Sequence, residues 1–166
     1  DNKAFGKYEI TENYYSRTSQ TSFYITGEFL GGNAYDFESN SVITESVVSV
    51  TNATGNEIPS DYPMYVALFN VDKGTGEVNG YPLAMSDTIF ASDSLEVNNV
   101  YEFNFKFKYP LAVLEGQTIL AAFNNPTAGI RRFDNPPVYE SNTCFVGNYS
   151  TNDSIFEFGE NAGVYY

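Results

Sequence analysis

The 166-residue sequence contains no histidine, no tryptophan and a single cysteine, Cys144. Without an imidazole, neither a serine–histidine nor a cysteine–histidine nucleophile pair can form, and histidine-based metal sites are excluded. One cysteine forms no intrachain disulfide and cannot by itself build a zinc site. We interpret Cys144 as a buried, inert thiol, and we predict that the chain is not an enzyme.

Positively charged residues are also few. The 8 Lys and Arg residues are outnumbered by 21 Asp and Glu, which gives a net charge of −13. Nucleic-acid binding relies on Lys and Arg to displace counterions from phosphates, and the only adjacent basic pair is Arg131-Arg132. No apolar run approaches the roughly 18 residues of a membrane span. We therefore predict no nucleic-acid partner and no membrane insertion.

Tyrosine and phenylalanine are abundant, with 14 of each, and both favour the half-buried surface of a β-sheet. Apolar and polar residues alternate most clearly over 101–109, which predicts a strand with one buried face. We expect five aromatic side chains to line the interface between two sheets there: Tyr101, Phe103, Phe105, Phe107 and Tyr109.

Short apolar runs bounded by turn residues predict the other strands. The close, turn-rich spacing is typical of an antiparallel sandwich or barrel. We predict an all-β fold, an antiparallel two-sheet β-sandwich of the jelly-roll type, with about nine or ten strands. Residues 1–20 are interpreted as a polar N-terminal arm or edge strand, and 21–166 as a single domain. The predicted strands are 22–30 (closed by Gly31-Gly32-Asn33), 42–50, 64–71, 81–90, 101–109, 118–123, 143–147, 155–159 and 164–166. The predicted core is Phe23, Ile25, Val48, Val50, Val66, Leu68, Phe103, Phe105, Phe107, Ile119, Leu120 and Phe123.

Two carboxylate patterns are candidates for chemistry. Glycoside hydrolysis needs only two carboxyl groups, and Asp36 and Glu38 would share one face of a strand. Such pairs arise often by chance among 21 acidic residues, so a glycoside hydrolase is a minor alternative. Calcium is the one cofactor that the sequence leaves open, because oxygen ligands flank a Gly-rich turn. The candidate ligands are Asn70, Asp72, Glu77 and Asn79, with Asp87 and Asp93 as a weaker pair.

Several tyrosines lie in polar or loop-like sequence contexts. A tyrosine suits a partly solvent-exposed surface, because its ring is apolar and its hydroxyl is polar. Exposed aromatic rings stack on sugar rings in carbohydrate-binding sandwich modules, while amides, carboxylates and Arg bind the hydroxyls. The alternative is that each tyrosine is an edge or turn residue with ordinary packing. The candidate glycan-binding residues are Tyr35, Tyr62, Tyr81, Arg131, Arg132, Tyr139 and Tyr149.

Three stretches, 35–54, 64–89 and 100–125, include the segments ALFNVD and GQTILAAF. In order and spacing they resemble β-sandwich modules of secreted multidomain Bacteroidota proteins, including adhesins and enzymes exported by the type IX pathway. The resemblance implies a secreted or cell-surface module that binds a surface or acts as a spacer, and it carries no functional residue with it. We expect a non-catalytic binding or adhesion module for polysaccharide or a cell-surface glycan. The alternative is a structural subunit of an extracellular adhesin or filament that assembles through strand edges.

Overall fold

The computed structural model describes residues 29–52, 57–92, 95–97, 99–124, 141–142, 144–150 and 155–160. These residues form eleven strands and no helix, and every strand pairing is antiparallel. The all-β, antiparallel class is therefore confirmed. The N-terminal arm and the predicted strand 164–166 lie outside the described residues. The strands are β1 Phe29–Asp36, β2 Ser41–Asn52, β3 Pro63–Met64, β4 Val66–Asp72, β5 Glu77–Val78, β6 Ala84–Met85, β7 Ile89–Phe90, β8 Asn99–Val113, β9 Thr118–Asn124, β10 Cys144–Ser150 and β11 Ile155–Glu160.

Seven strands form the largest sheet, in the order β11-β10-β1-β9-β4-β5, with β6 also paired to β4. At its two ends, the backbone N–H of Phe156 in β11 donates a hydrogen bond to the carbonyl of Gly80, just after β5, at 3.0 Å. The sheet therefore curls and nearly closes on itself in a barrel-like form. Two smaller sheets, β2-β8 and β3-β7, complete the described strands.

Both faces of the largest sheet are buried. Along β4, Val66 and Leu68 belong to one apolar cluster, whereas Ala67, Phe69 and Val71 belong to another. We call the first the outer core, since β2 and β8 cover it, and the second the inner core, since the curled sheet encloses it. A strand buried on both faces needs apolar residues at successive positions, which explains the near-continuous apolar runs of β4 and β9.

The predicted core agrees well with the observed one. Two of its members, Val48 and Phe103, are half-buried beside the outer core, and Phe23 and Ile25 lie outside the described residues. Full burial of one such side chain contributes about 1.5–3 kcal/mol to stability. The members confirmed as buried are Val50, Val66, Leu68, Phe105, Phe107, Ile119, Leu120 and Phe123.

The glycine pair predicted to end a strand lies inside one instead. Gly31 and Gly32 fall within β1, which pairs with β9 on one side and β10 on the other. A Cβ atom on Gly32 would lie 1.9 Å from the carbonyl oxygen of Ala121 in β9. The turn prediction was wrong because glycine here permits a close approach of two backbones, which is its other use in strands.

Strand β8 also departs from the predicted alternation. It extends to Val113, and Phe105 and Phe107 are buried as expected, but Tyr109 is 76% exposed. Between the pairs Ile43↔Leu111 and Glu45↔Lys106 the register shifts, so that residues 107–110 lie opposite a single residue of β2. Such a bulge bends the strand and re-aims its side chains. The buried aromatic face therefore ends at Phe107, and the predicted placement of Tyr109 was wrong.

Candidate ligand-binding site

The closing edge of the largest sheet carries a group of aromatic residues that we call the aromatic seam, formed by Tyr81, Tyr149 and Phe156. Pairing of β10 with β11 places Tyr149 opposite Phe156, and their ring centroids are 5.1 Å apart in an edge-to-face arrangement. Because Phe156 also donates its backbone N–H to Gly80, Tyr81 follows directly on the other side. The fold thus brings two candidate glycan-binding tyrosines to one junction.

Glycine at position 80 allows the seam to form. A Cβ atom there would lie 2.2 Å from the carbonyl oxygen of Phe156 and 3.2 Å from the Cβ of Ile155. Glycine lacks a Cβ atom, which allows another backbone to approach closely. Any side chain at Gly80 would push β11 away from the segment that carries Tyr81.

The seam is supported from below by inner-core rings. Phe156 contacts Phe69 edge-to-face at a centroid distance of 5.5 Å, and Phe69 in turn contacts Phe158 at 4.7 Å. Edge-to-face pairs are worth about 0.5–1.5 kcal/mol each beyond the area that they bury. This packed base holds the Tyr149 ring, which is 37% exposed, while Tyr81 is 63% exposed. Both rings present apolar surface to solvent, and that of Tyr149 does so from a packed aromatic base.

The other described candidate tyrosines have a different environment. Tyr62 is half-buried against the outer core, and its hydroxyl donates to Oδ1 of Asn124 at 3.0 Å. The Asn124 amide donates in turn to the carbonyl of Pro63 at 3.1 Å. Tyr35 also packs against the outer core. The rings of Tyr62 and Tyr35 therefore pack against the outer core and do not form an exposed surface. The remaining candidates, Arg131, Arg132 and Tyr139, lie outside the described residues.

Burial raises the pKa of the Tyr35 hydroxyl above its ordinary value of 10.0, and a hydrogen bond with Asn33 opposes part of this rise. The unfolded chain loses this proton near pH 10 while the folded chain keeps it, so the free energy of unfolding should fall as the pH rises above about 10. We expect Tyr35→Phe to lessen the fall by up to about 1.4 kcal/mol per pH unit. Urea titrations of both proteins at several pH values from 8 to 11 would measure how the free energy of unfolding changes with pH. Tyr81→Phe is the control, because Tyr81 is exposed. If it changes the pH dependence as much as Tyr35→Phe does, the loss of stability does not arise from the buried Tyr35 hydroxyl.

The candidate carboxylate pair lies at the opposite rim of the sheet. Asp36 is the last residue of β1 and Glu38 lies in the loop that follows, so the two do not share a strand face as predicted. Asp36 forms an ion pair with Lys73 and accepts a hydrogen bond from the Thr118 hydroxyl at 2.7 Å. Asp36 and Glu38 do line one open depression, together with Phe37, Lys73, Glu115, Gly116 and Thr118.

The candidate calcium ligands lie on the β4–β5 hairpin. Asp72 is opposite Glu77, and its Oδ1 accepts hydrogen bonds from the backbone N–H groups of Gly74 and Thr75 at 2.9 and 3.1 Å. Asn70 and Asn79 are joined by a backbone hydrogen bond in the same hairpin. Within the described part of the chain, no group of three or more His, Cys, Asp or Glu residues is placed to hold a metal ion. Calcium binding stays a prediction. Asp87 is exposed, and Asp93 is outside the described residues.

Comparisons of the chain with protein-family models, with curated proteins and with solved structures find no match. The resemblance to secreted Bacteroidota modules therefore stays a prediction. Among the described residues, no helix is long and apolar enough to span a membrane.

Tyr109, which the alternating pattern predicted at the interface between two sheets, is instead exposed. The signal that could have found it is Pro110, the next residue. Proline cannot donate a backbone hydrogen bond, so within a strand it is confined to edges, first positions or bulges. A proline directly after the alternating run therefore indicates that the regular pairing ends there.

Proposed function

We propose that this domain is a non-catalytic, extracellular binding module for polysaccharide or a cell-surface glycan, with the aromatic seam as its binding surface. The observation that supports this proposal is that two exposed tyrosines flank one junction: Tyr149 lies opposite Phe156 of β11, and Tyr81 follows Gly80, whose carbonyl accepts the backbone N–H of Phe156. Tyrosine offers an apolar ring face for the C–H groups of a sugar and a hydroxyl for its polar edge.

Polar groups next to Tyr81 suit the hydroxyls of a sugar. Asn79 is exposed, and its Oδ1 accepts a hydrogen bond from the backbone N–H of Tyr81 at 3.1 Å. This contact fixes the orientation of the side chain, so that its NH₂ group is the part that can donate to a ligand. A ring held beside an oriented amide is a suitable arrangement for one sugar unit.

We expect Tyr81→Ala and Tyr149→Ala each to weaken polysaccharide binding about tenfold, the equivalent of about 1.4 kcal/mol of lost stacking. A glycan array would first identify a ligand, and affinity gel electrophoresis with that polysaccharide would then compare the variants. The matched control is Phe90→Ala, because Phe90 is an aromatic residue with 62% exposure on β7, which pairs with β3.

Circular dichroism should show that all three variants remain folded. The proposal fails if the wild-type domain retains no polysaccharide on the array. It also fails if the tyrosine variants bind as tightly as the wild type, or if Phe90→Ala weakens binding to the same extent.

The wider setting belongs to the same proposal. We infer a secreted or cell-surface location from the acidic composition, in which 21 acidic residues outnumber 8 basic ones, and from the resemblance to secreted Bacteroidota modules. The two-sheet sandwich of the jelly-roll type is our proposal for the complete arrangement of the strands. It is supported by the β2-β8 pair, which covers one face of the largest sheet through the outer core.

One observation favours the second candidate function, a structural subunit that assembles through strand edges. Strand β2 has 12 residues and, among the described strands, pairs with β8 alone. It contains one charged residue, Glu45, and neither Lys nor Pro, the residues that commonly protect edge strands from pairing. Light scattering across a concentration series separates the candidates, since assembly favours the subunit and a constant monomer excludes it.

A further inference from the structure

The bulge in β8 presents the most exposed of the large hydrophobic side chains in the described part of the chain, Tyr109. Its position is fixed on both sides. Phe107 is buried in the outer core two residues before it, and Pro110, with its restricted backbone, follows it. The Tyr109 ring therefore contributes little to packing, and bulges are over-represented next to functional sites, where they re-aim side chains.

A positive charge accompanies this ring. The ammonium group of Lys108 lies 5.5 Å from the centroid of the Tyr109 ring, which is within the range of a cation–π contact. The other described lysines are partly neutralised. Lys73 is paired with Asp36, and Lys106 lies opposite Glu45 in the β2-β8 register.

Charges from the elements around the bulge leave Lys108 as the dominant cation. Glu45 on β2 and Asp87 in the loop before β7 both lie beside Lys106, the latter through a backbone hydrogen bond of 2.9 Å. Within the described residues, the ion pair between Lys73 and Asp36 is the only one, so Lys108 makes none there. Among the three described lysines, Lys108 is the one with neither an ion pair nor an acidic residue opposite it in the β2-β8 register.

Exposed apolar residues also lie on the strand segments that follow the bulge. Val42 of β2 is 62% exposed and lies opposite Ala112, which is also exposed. Leu114, just beyond the end of β8, is exposed as well. Exposed apolar side chains close to a charged group commonly mark a binding site. The bulge therefore combines an exposed ring face with the ammonium group of Lys108, and exposed apolar residues lie further along the same two strands.

We propose that the β8 bulge is a second binding site, which takes an acidic polysaccharide. A sugar ring stacks on Tyr109, and the acid group of that sugar pairs with Lys108. This site differs from the aromatic seam in position and in the charge of its ligand, so it goes beyond the function proposed above. Carboxylate and sulfate groups share the chemistry that Lys108 recognises, and the test separates them.

Affinity gel electrophoresis with polygalacturonate, dextran sulfate and neutral dextran tests the proposal. We expect one of the two acidic polymers to retard the wild-type domain, and neutral dextran to have no effect. Tyr109→Ala and Lys108→Gln should each weaken the retardation about tenfold. Added salt should weaken it too, since the ion pair is exposed and screened over about 8 Å at 0.15 M. The polymer that retards the domain identifies the acid group as carboxylate or sulfate.

Lys73→Gln is the control for net charge, because it removes one positive charge away from the bulge. The proposal is overturned if Lys73→Gln weakens retardation as much as Lys108→Gln, if neutral dextran retards the domain equally, or if neither acidic polymer retards it. Tyr81→Ala should leave retardation by the acidic polymer unchanged, so failure of this site and failure of the aromatic seam are distinguishable.

Discussion

Replacing Phe69 with alanine is expected to destabilise the domain by about 3–5 kcal/mol, the usual cost of removing a fully buried aromatic ring. Phe69 has 0% exposure at the centre of β4. Its ring contacts those of Phe156 and Phe158, so its loss removes the aromatic pairs as well as the buried area.

The cavity left by this substitution has little means of collapsing. The neighbouring inner-core residues Leu120 and Phe145 are themselves fully buried and are fixed by strands paired on both sides. The cost of a large-to-small change depends on how far its surroundings relax. A curled sheet that is bonded across its closing edge relaxes little, which places the expected loss toward the upper part of the range.

Urea unfolding followed by circular dichroism would measure the loss as a lower midpoint with an unchanged slope. Phe90→Ala is the matched control. Its ring is exposed on β7, so its loss should change stability by about 0.5 kcal/mol or less. A loss below about 1 kcal/mol for Phe69→Ala would show that this ring is not central to the inner core.

The buried strands were predictable because burial on both faces leaves a local signature. Successive apolar residues in β4 and β9 indicate strands with no wet face, and most of the predicted core residues are buried as expected. The close approach at Gly32 and the extent of the β8 bulge were not predictable in the same way, although Pro110 indicates where the regular pairing ends. Each depends on a partner strand distant in sequence, through the Ala121 carbonyl in one case and the irregular β2-β8 register in the other.

The candidate site was predictable only in part, for the same reason. Polar sequence context selected Tyr81 and Tyr149, which are exposed, but it also selected Tyr35 and Tyr62, which pack against the outer core. The local sequence shows whether the residues next to a tyrosine are polar. The exposure of its ring depends instead on which distant residues the fold packs against it. The seam itself requires β11 to meet Gly80 across the closing edge, which is a long-range pairing that no local pattern encodes.

The second large effect is expected at Asn52, a polar residue with 2% exposure at the end of β2. Its Oδ1 accepts a hydrogen bond from the backbone N–H of Ile58 at 2.8 Å, and its amide donates to the carbonyl of Leu95 at 2.9 Å. One side chain therefore joins β2 to two separate loops, and Ile58 itself belongs to the outer core.

Asn52→Ala should lower the free energy of unfolding by about 2–4 kcal/mol, because the buried N–H of Ile58 loses its partner at a cost of about 1–3 kcal/mol and the part-buried carbonyl of Leu95 loses its partner at a cost of about 1 kcal/mol. Urea unfolding would measure the change. Asn104→Ala is the control, since Asn104 is exposed on β8 and should matter little. An equal loss in both variants would contradict a special role for Asn52.

The variant Asn52→Asp separates the two hydrogen bonds. A carboxylate still accepts from Ile58, but it places negative charge against the Leu95 carbonyl in a buried position, which should raise the pKa of the new carboxyl above its usual value of about 3.9. The protonated acid donates to Leu95 as the amide does. Because the folded pKa is raised, the stability of this variant relative to the wild type should be highest below about pH 4 and should fall as the pH rises. A pH-independent difference between pH 3 and pH 7 would show that the bond to Leu95 contributes little.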